Sequence, residues 1–151
     1  MLLLLEDAKR RPELFDWFGA IPRREIEDWL LRHQLELPPD IIELWHVTGG
    51  GDVFESETIL RPTVASYPNG SFVEDDIESF NTDHATELNR CGVYVFQRGV
   101  FLSAVRLRDQ YFVTLTKNYV IAEWFSSLDE WYANTLRAEF GPRYGLSPND
   151  E

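Results

Sequence analysis

The sequence predicts an α+β fold, with a central antiparallel sheet of about four to six strands flanked by N-terminal helices and a C-terminal helix. Apolar residues recur at helical spacing in the first third of the chain and again near its end. Between these regions, short apolar runs are separated by glycine or by asparagine, which is typical of strands joined by tight turns. Helices placed before and after a block of strands indicate this class.

The length and composition fit one folded domain. The chain has 151 residues, about the size of one ordinary domain, and 44% of them are hydrophobic, including five Trp and ten Phe. This amount of apolar side chain can bury a substantial core, so a wholly disordered chain is excluded. We expect a single domain over residues 1–140 and a C-terminal tail over residues 141–151.

The N-terminus and the cysteine content indicate a cytoplasmic protein. Cys91 is the single cysteine, so no disulfide can form within the chain, which fits a reducing compartment. Four leucines follow Met1 and run directly into Glu6 and Asp7, so we predict a buried N-terminal turn and no export signal. No apolar run approaches the roughly 18 residues that a membrane span needs.

Two helices are predicted before the central stretch. The segment from about Glu13 to Gly19 suggests a short first helix, which the glycine and the following Pro22 would end. Residues 24–37 predict a longer amphipathic helix, because apolar side chains recur there at i, i+3 and i+4. The predicted buried face of this second helix consists of Ile26, Trp29, Leu30, His33 and Leu37.

The stretch "LELPPDIIELWHVTGGG" predicts a third helix that the glycines end. Pro38 and Pro39 suit a first helical turn, where a missing N–H is tolerated, and Asp40 complements the helix dipole. Gly49 stands where a helix C-cap needs a left-handed conformation. A phosphate-binding loop has the opposite order, with glycines before a helix N-terminus, so the glycine run does not indicate nucleotide binding.

The second half of the chain predicts most of the sheet. Residues 53–60 suggest an extended segment with Glu55 and Glu57 on one face, and the acidic stretch after it suggests a helix from about Asp83 to Asn89. Three strand regions follow, the first of which is divided at Gly99. Ser127 is placed as the N-cap of a last helix that ends at Gly141. The strand regions are "VYVFQRGVFLSAVRL", "YFVTLTK" and "VIAEWF".

The net charge of −12 is concentrated in the middle of the sequence. Residues 49–90 contain nine acidic and two basic residues, a net charge of −7, whereas residues 91–151 contain seven acidic and six basic residues. Such a field repels nucleic acids and anionic membranes and attracts basic partners. An acidic surface that only confers solubility is the alternative interpretation.

Catalytic and metal-binding patterns are weak. The three histidines are not spaced as zinc ligands, and the acidic stretch lacks the central glycine of a calcium loop. Cys91 could act as a nucleophile with His84 as its base, but neighbouring acids oppose formation of a thiolate. Two of the carboxylates could form an acid/base pair, although no motif selects one. We therefore expect no enzyme activity, no metal and no cofactor.

The order of these features resembles the SUKH superfamily, the Smi/Knr-like domains of fungal cell-wall regulators and bacterial toxin-immunity proteins. Four pieces carry the resemblance and together cover roughly residues 24–138. They are the Leu-Pro helix with its glycines, the acidic run "GDVFESETILRP", the block of strand regions and the "SSLDEWYANTL" helix. The first 20 residues have no counterpart in the family, and the loop "ASYPNGSFVEDDIESF" is not diagnostic of it.

The resemblance implies a non-catalytic immunity protein that binds and blocks a bacterial toxin. Many such toxins are nucleases or deaminases with basic clefts, so the expected partner is a basic protein toxin, neither a nucleic acid nor a membrane, with the protein acting as a monomer or weak dimer. A regulatory or scaffold module of the same fold without a toxin partner is the alternative. On charge alone, the candidate partner-binding residues are Asp52, Glu55, Glu57, Glu74, Asp75, Asp76 and Glu78.

Overall fold

The predicted α+β class is confirmed by a computed structural model that describes residues 1–62 and 76–146. In this part of the chain, seven strands form one antiparallel sheet in which each strand pairs with the next in sequence. The sheet thus has one strand more than the upper end of the prediction. Its strands are β1 (Phe15–Trp17), β2 (Gly51–Val53), β3 (Glu57–Ile59), β4 (Val93–Arg98), β5 (Leu102–Arg106), β6 (Tyr111–Leu115) and β7 (Ile121–Phe125).

Short helices cover the sheet. Within residues 1–62 and 76–146, no helix has both the length and the apolar character that crossing a bilayer requires. Short 3-10 helices occupy Pro12–Leu14 and Gly141–Tyr144. The α-helices are α1 (Leu3–Arg10), α2 (Arg23–Arg32), α3 (Pro39–Thr48), α4 (Ile77–Asp83), α5 (Ala85–Cys91), α6 (Leu128–Asn134) and α7 (Leu136–Phe140).

Helix α3 ends at Gly49, as the sequence predicts. Gly49 has a φ of 76° and donates its N–H to the carbonyl of Trp45 at 2.8 Å. A side chain could not replace its hydrogen atom, because a Cβ there would lie 1.8 Å from the carbonyl oxygen of Gly19. The glycine run therefore closes a helix and lets two backbone segments approach, and it does not form a phosphate-binding loop.

The prediction of a short helix from Glu13 is wrong, because this segment forms the edge strand β1 after a single 3-10 turn. Phe15 is buried and the next residue, Asp16, is exposed, so the segment has the alternation of a strand. Phe15 pairs with Val53 of β2 and stacks on Trp17 at 5.5 Å. Tertiary pairing with a strand far along the chain thus overrides the local helix signal.

The extended segment expected over residues 53–60 is instead a hairpin. Phe54 and Glu55 have φ values of 53° and 68°, and the three residues between β2 and β3 reverse the chain. The buried ring of Phe54 stacks on Tyr132 and on Tyr144, with centroids 6.5 and 5.8 Å away. The turn contains no Gly or Asn that would predict it, and packing of this aromatic ring stabilises it.

The helix expected from Asp83 to Asn89 is in fact two helices, α4 and α5, and the first begins at Ile77. Asn81 of α4 bonds to β4 where β3 no longer covers that strand. Its amide donates to the carbonyl of Val95 at 2.9 Å, and its carbonyl accepts the N–H of Val95 at 2.8 Å. One side chain thus takes the place of a neighbouring strand.

The C-terminal helix starts as predicted, with the Ser127 hydroxyl accepting the Glu130 N–H at 3.1 Å. It breaks at Thr135 into α6 and α7, where a single helix was expected. Residues 141–146 do not form a free tail, because Leu146 is 4% exposed and Tyr144 packs on the core. The folded body therefore extends past the predicted boundary at residue 140, and residues 147–151 lie outside the described part.

The first leucines form helix α1, which is longer than the single buried turn that the sequence suggests. Leu4 is buried in the core, and Asp7 holds α1 to the C-terminal helices. Its carboxylate accepts the Tyr132 hydroxyl at 2.7 Å and the Arg137 guanidinium at 2.8 Å, all three groups being buried. The N-terminus is therefore an integral part of the fold.

Candidate protein-docking site

The seven candidate acids do not form one group. Glu74 and Asp75 lie outside the described residues. Asp52 and Glu55 line a pocket at the β1–β2–β3 end of the sheet, whereas Glu78 lines a second pocket beside α2 and α4. The two pockets share no lining residue, so these three candidates are divided between two sites.

The structure corrects the expectation for Glu57, whose side chain is 0% exposed and cannot contact a partner. One carboxylate oxygen accepts from Gln97 at 3.0 Å, the other from Ser56 at 3.0 Å, and the Val100 N–H lies 3.0 Å from both. Gln97 in turn accepts the Ser103 hydroxyl at 2.6 Å. Glu57 is an internal anchor for the sheet, because β3 starts at this residue and turns it inward.

The first pocket has a volume of about 420 Å³ and is lined by four acids, Glu13, Asp16, Asp52 and Glu55. We call these four residues the acidic pocket. The pairing of β1 with β2 brings them together, since Asp16 of β1 lies directly opposite Asp52 of β2 and Glu55 follows in the β2–β3 turn. Residues that are 36 positions apart in the chain thus share one face of the sheet.

One of the four carboxylates in the acidic pocket is paired with a cation, and a second accepts a hydrogen bond from a neutral hydroxyl. Glu13 pairs with Arg11 at 2.7 Å, and this hydrogen bond lowers the pKa of the Glu13 carboxyl. Asp52 accepts the Thr58 hydroxyl at 3.0 Å. Across residues 1–62 and 76–146, neither Asp16 nor Glu55 has a hydrogen-bond or ionic partner. The pocket therefore presents unbalanced negative charge to solvent.

Glu13 and Asp16 are not among the predicted site residues, because their segment predicts a helix. The signal that could have found Asp16 is its place between two large aromatic residues, Phe15 and Trp17, a pattern of period two. Glu13 carries no such signal, because the 3-10 turn and the pairing of β1 with β2 alone bring it to the pocket.

The other two described candidates have local structural roles. Asp76 is the N-cap of α4 and accepts the Glu78 N–H at 2.9 Å. One oxygen of Glu78 accepts the indole N–H of Trp29 at 2.5 Å and lies 2.6 Å from Nε2 of His33. These bonds join α4 to α2. His33 therefore belongs to this network at the helix end, and the predicted core face of α2 retains Ile26 and Trp29.

The suggested Cys91–His84 pair is not arranged for catalysis. The Cys91 thiol donates to the carbonyl of Tyr119 at 2.5 Å, and Nδ1 of His84 lies 2.9 Å from the carbonyl of Phe80. Each group is thus held by a backbone carbonyl, and neither contacts the other. No cluster of three or more His, Cys, Asp or Glu side chains suited to a metal ion occurs in residues 1–62 and 76–146.

Comparisons with protein-family models, with curated proteins and with solved structures found no match. The geometry and the charges of the pockets are therefore the basis of the proposed function. The acidic pocket is the feature in which exposed charge, concavity and sheet register coincide.

Proposed function

We propose that this protein binds a positively charged partner protein at the acidic pocket and has no catalytic role of its own. The observation that supports this most strongly is the pairing of Asp16 with Asp52 across β1 and β2. Like charges directly opposite each other destabilise a strand pair. A cationic side chain bound between the two carboxylates would remove this repulsion, so the arrangement favours the bound state.

The expected partner is a bacterial toxin, of a class such as nucleases or deaminases whose clefts bind phosphate. The carboxylates of the pocket would occupy the positions that phosphate groups take on such a toxin, and the bulk of the protein would block the cleft. Long-range attraction supports this role, because a net charge of −12 raises the rate of encounter with a basic protein.

If a toxin is encoded beside this gene, the proposal is tested by protection of cells that express that toxin. We compare the parent with a triple variant, Asp16→Asn, Asp52→Asn and Glu55→Gln, which removes three charges and retains side-chain size. We expect the triple variant to lose protection although its expression and melting temperature match the parent.

A matched control removes the charges of Asp83, Glu87 and Glu139, which do not line the acidic pocket. This control should protect as well as the parent. Equal protection by the triple variant would contradict the proposal. If the neighbouring genes encode no toxin, a regulatory or scaffold module becomes the better account, and the triple variant is then assayed against the partner that co-purifies.

A further inference from the structure

A second pocket of about 310 Å³ lies where the end of α2, helices α4 and α5, and β4 meet. We call it the Glu78 pocket. Asn81, which bonds to Val95 of β4, is one of its lining residues. Its lining residues also include His33, Leu35, Glu78, Leu88, Val93 and Tyr94.

The carboxylate of Glu78 is held in position through one of its two oxygen atoms. Its Oε1 atom is held by the Trp29 indole N–H at 2.5 Å and by Nε2 of His33 at 2.6 Å. Trp29 is fully buried, and its ring lies tilted against the ring of His33 with the centroids 4.8 Å apart, so each donor packs against the other. Oε2 has no hydrogen-bond partner in residues 1–62 and 76–146, and the side chain of Glu78 is 31% exposed.

The potential in the Glu78 pocket is negative. None of the described residues that line it is a Lys or an Arg. The nearby phenol of Tyr94 reports the same field, since burial, followed by the charges of Glu78 and Asp76, raises the pKa of its hydroxyl. That hydroxyl has no hydrogen-bond partner in the described part of the chain, so it is available to a ligand.

Apolar side chains lie beside the charge. Leu88 and Val93 are nearly fully buried, and Leu35 is partly buried, so they form a wall and floor next to the carboxylate. A ligand that fits must therefore combine a cationic head with a short apolar stem. Arginine and lysine side chains, which keep an aliphatic stem next to their charge, have this character.

We propose that the Glu78 pocket binds a guanidinium or ammonium group that carries a short alkyl chain. The head donates to Oε2 of Glu78 and to the Tyr94 hydroxyl, and the stem packs on Leu88 and Val93. The ligand is either a small free cation or an arginine or lysine side chain of a partner protein. This inference does not rest on the proposed function, because the site shares no residue with the acidic pocket.

The probe is n-butylguanidinium, and its neutral isostere n-butylurea is the matched control. Binding is followed by the NMR shifts of Tyr94 and Val93 at about pH 8, where histidine side chains are ordinarily neutral. We expect n-butylguanidinium to bind at least ten times more tightly than n-butylurea. Equal affinities, or shifts confined to residues outside the Glu78 pocket, would overturn the inference.

Three variants separate charge, space and folding. Glu78→Gln keeps an acceptor for Trp29 and removes the charge, so the affinity should fall at least tenfold. Ala85→Leu narrows the pocket and keeps the charge, and it should weaken both probes. Asp83→Asn changes a residue that lies in α4 with Glu78 but does not line the pocket, and it should leave the affinity unchanged. If Glu78→Gln binds n-butylguanidinium like the parent while its melting temperature is retained, the carboxylate is not the site.

The source of the cation is resolved with the peptide acetyl-Ala-Arg-Ala-amide. Binding as tight as that of n-butylguanidinium indicates a side chain of a partner protein. Binding at least ten times weaker indicates a free small cation, because the peptide backbone then blocks entry. Either result supports the site, whereas failure of both compounds to bind overturns it. The protection assay with the Asp16, Asp52 and Glu55 variants is unaffected by this outcome.

Discussion

Two glutamates that are two positions apart in the sequence have opposite roles. Glu57 is buried and accepts hydrogen bonds from Gln97, Ser56 and Val100, whereas Glu55 is exposed at the tip of the hairpin. The formal charge of the two residues is the same. Burial and hydrogen bonding therefore decide whether a carboxylate supports the fold or is available to a partner.

Glu57→Ala should destabilise the protein by about 3 kcal/mol or more, because it leaves the buried amide of Gln97 and the backbone N–H of Val100 without their acceptor. Glu55→Ala is the matched control and should change the free energy of unfolding by at most about 0.5 kcal/mol. Urea denaturation measures both values. A loss for Glu57→Ala as small as that of the control would contradict the anchoring role.

The opposed carboxylates of Asp16 and Asp52 predict a trade-off between stability and binding. Asp16→Asn should raise the free energy of unfolding by roughly 0.2–1 kcal/mol, because it removes a like-charge pair across two strands. The same variant should weaken binding of a cationic partner. A stability gain that persists undiminished in about 1 M salt would contradict this explanation, because salt screens the repulsion.

Two tyrosines predict the behaviour at high pH. Burial is the main cause that raises the pKa of both Tyr94 and Tyr132 above the ordinary value, with neighbouring carboxylates adding to it. The folded state therefore keeps these protons at a pH where the unfolded state loses them. The contribution of the two tyrosines to the free energy of unfolding is fully present below about pH 10. Above that pH the free energy of unfolding falls by up to about 1.4 kcal/mol per pH unit for each tyrosine.

Single variants show how much each tyrosine contributes to the fall of the free energy of unfolding above about pH 10. Tyr94→Phe should remove the contribution of one tyrosine and leave the plateau below about pH 10 largely unchanged, since that hydroxyl has no partner in residues 1–62 and 76–146. Tyr111→Phe, at an exposed position, is the control and should keep the parental slope. Identical slopes for all three proteins would show that burial of Tyr94 does not govern the effect.

At the scale of elements, Asn81 replaces a strand. Its side chain is the partner of both backbone groups of Val95 on the part of β4 beyond β3. Asn81→Ala should cost about 1–3 kcal/mol, because those two groups then lose their partner. The nearby exposed Asn89→Ala is the matched control. Faster amide exchange at Val95 in the Asn81 variant would accompany the loss, and unchanged exchange would contradict it.

Elements with strong local signals were predictable, and those defined by distant partners were not. Pro39 and Gly49 announce the ends of α3, and Ser127 announces the start of α6. The edge strand β1 depends on β2, which lies far along the chain, so its residues resembled a helix. The turn at Phe54 and Glu55 lacks Gly or Asn, because aromatic packing holds it.

The candidate site was predictable in its charge but not in its composition. The excess of acids in the middle of the sequence pointed to Asp52 and Glu55, which lie in the acidic pocket. The number of acids in this stretch could not show that Glu57 is buried while Glu55 is exposed, because one residue of register decides which face of the sheet a side chain takes. Asp16 joins the pocket only through strand pairing, which composition does not encode.

At the scale of the whole molecule, charge and shape act at different distances. The net charge of −12 attracts a basic protein from outside the contact range, an effect that salt screens over about 8 Å at physiological ionic strength. In the proposed function, the acidic pocket would then determine where the partner docks. The Glu78 pocket, on a separate part of the surface, offers a place for one further cationic group.

The most direct test of the central claim is an NMR titration of the labelled protein with decalysine at low salt. Shifts should concentrate on the amides of Glu13, Asp16, Asp52 and Glu55, and the variant with Asp16→Asn, Asp52→Asn and Glu55→Gln should abolish them. Shifts spread over the surface in proportion to its exposed acids, or shifts that the variant retains, would contradict the assignment of the acidic pocket as the docking site.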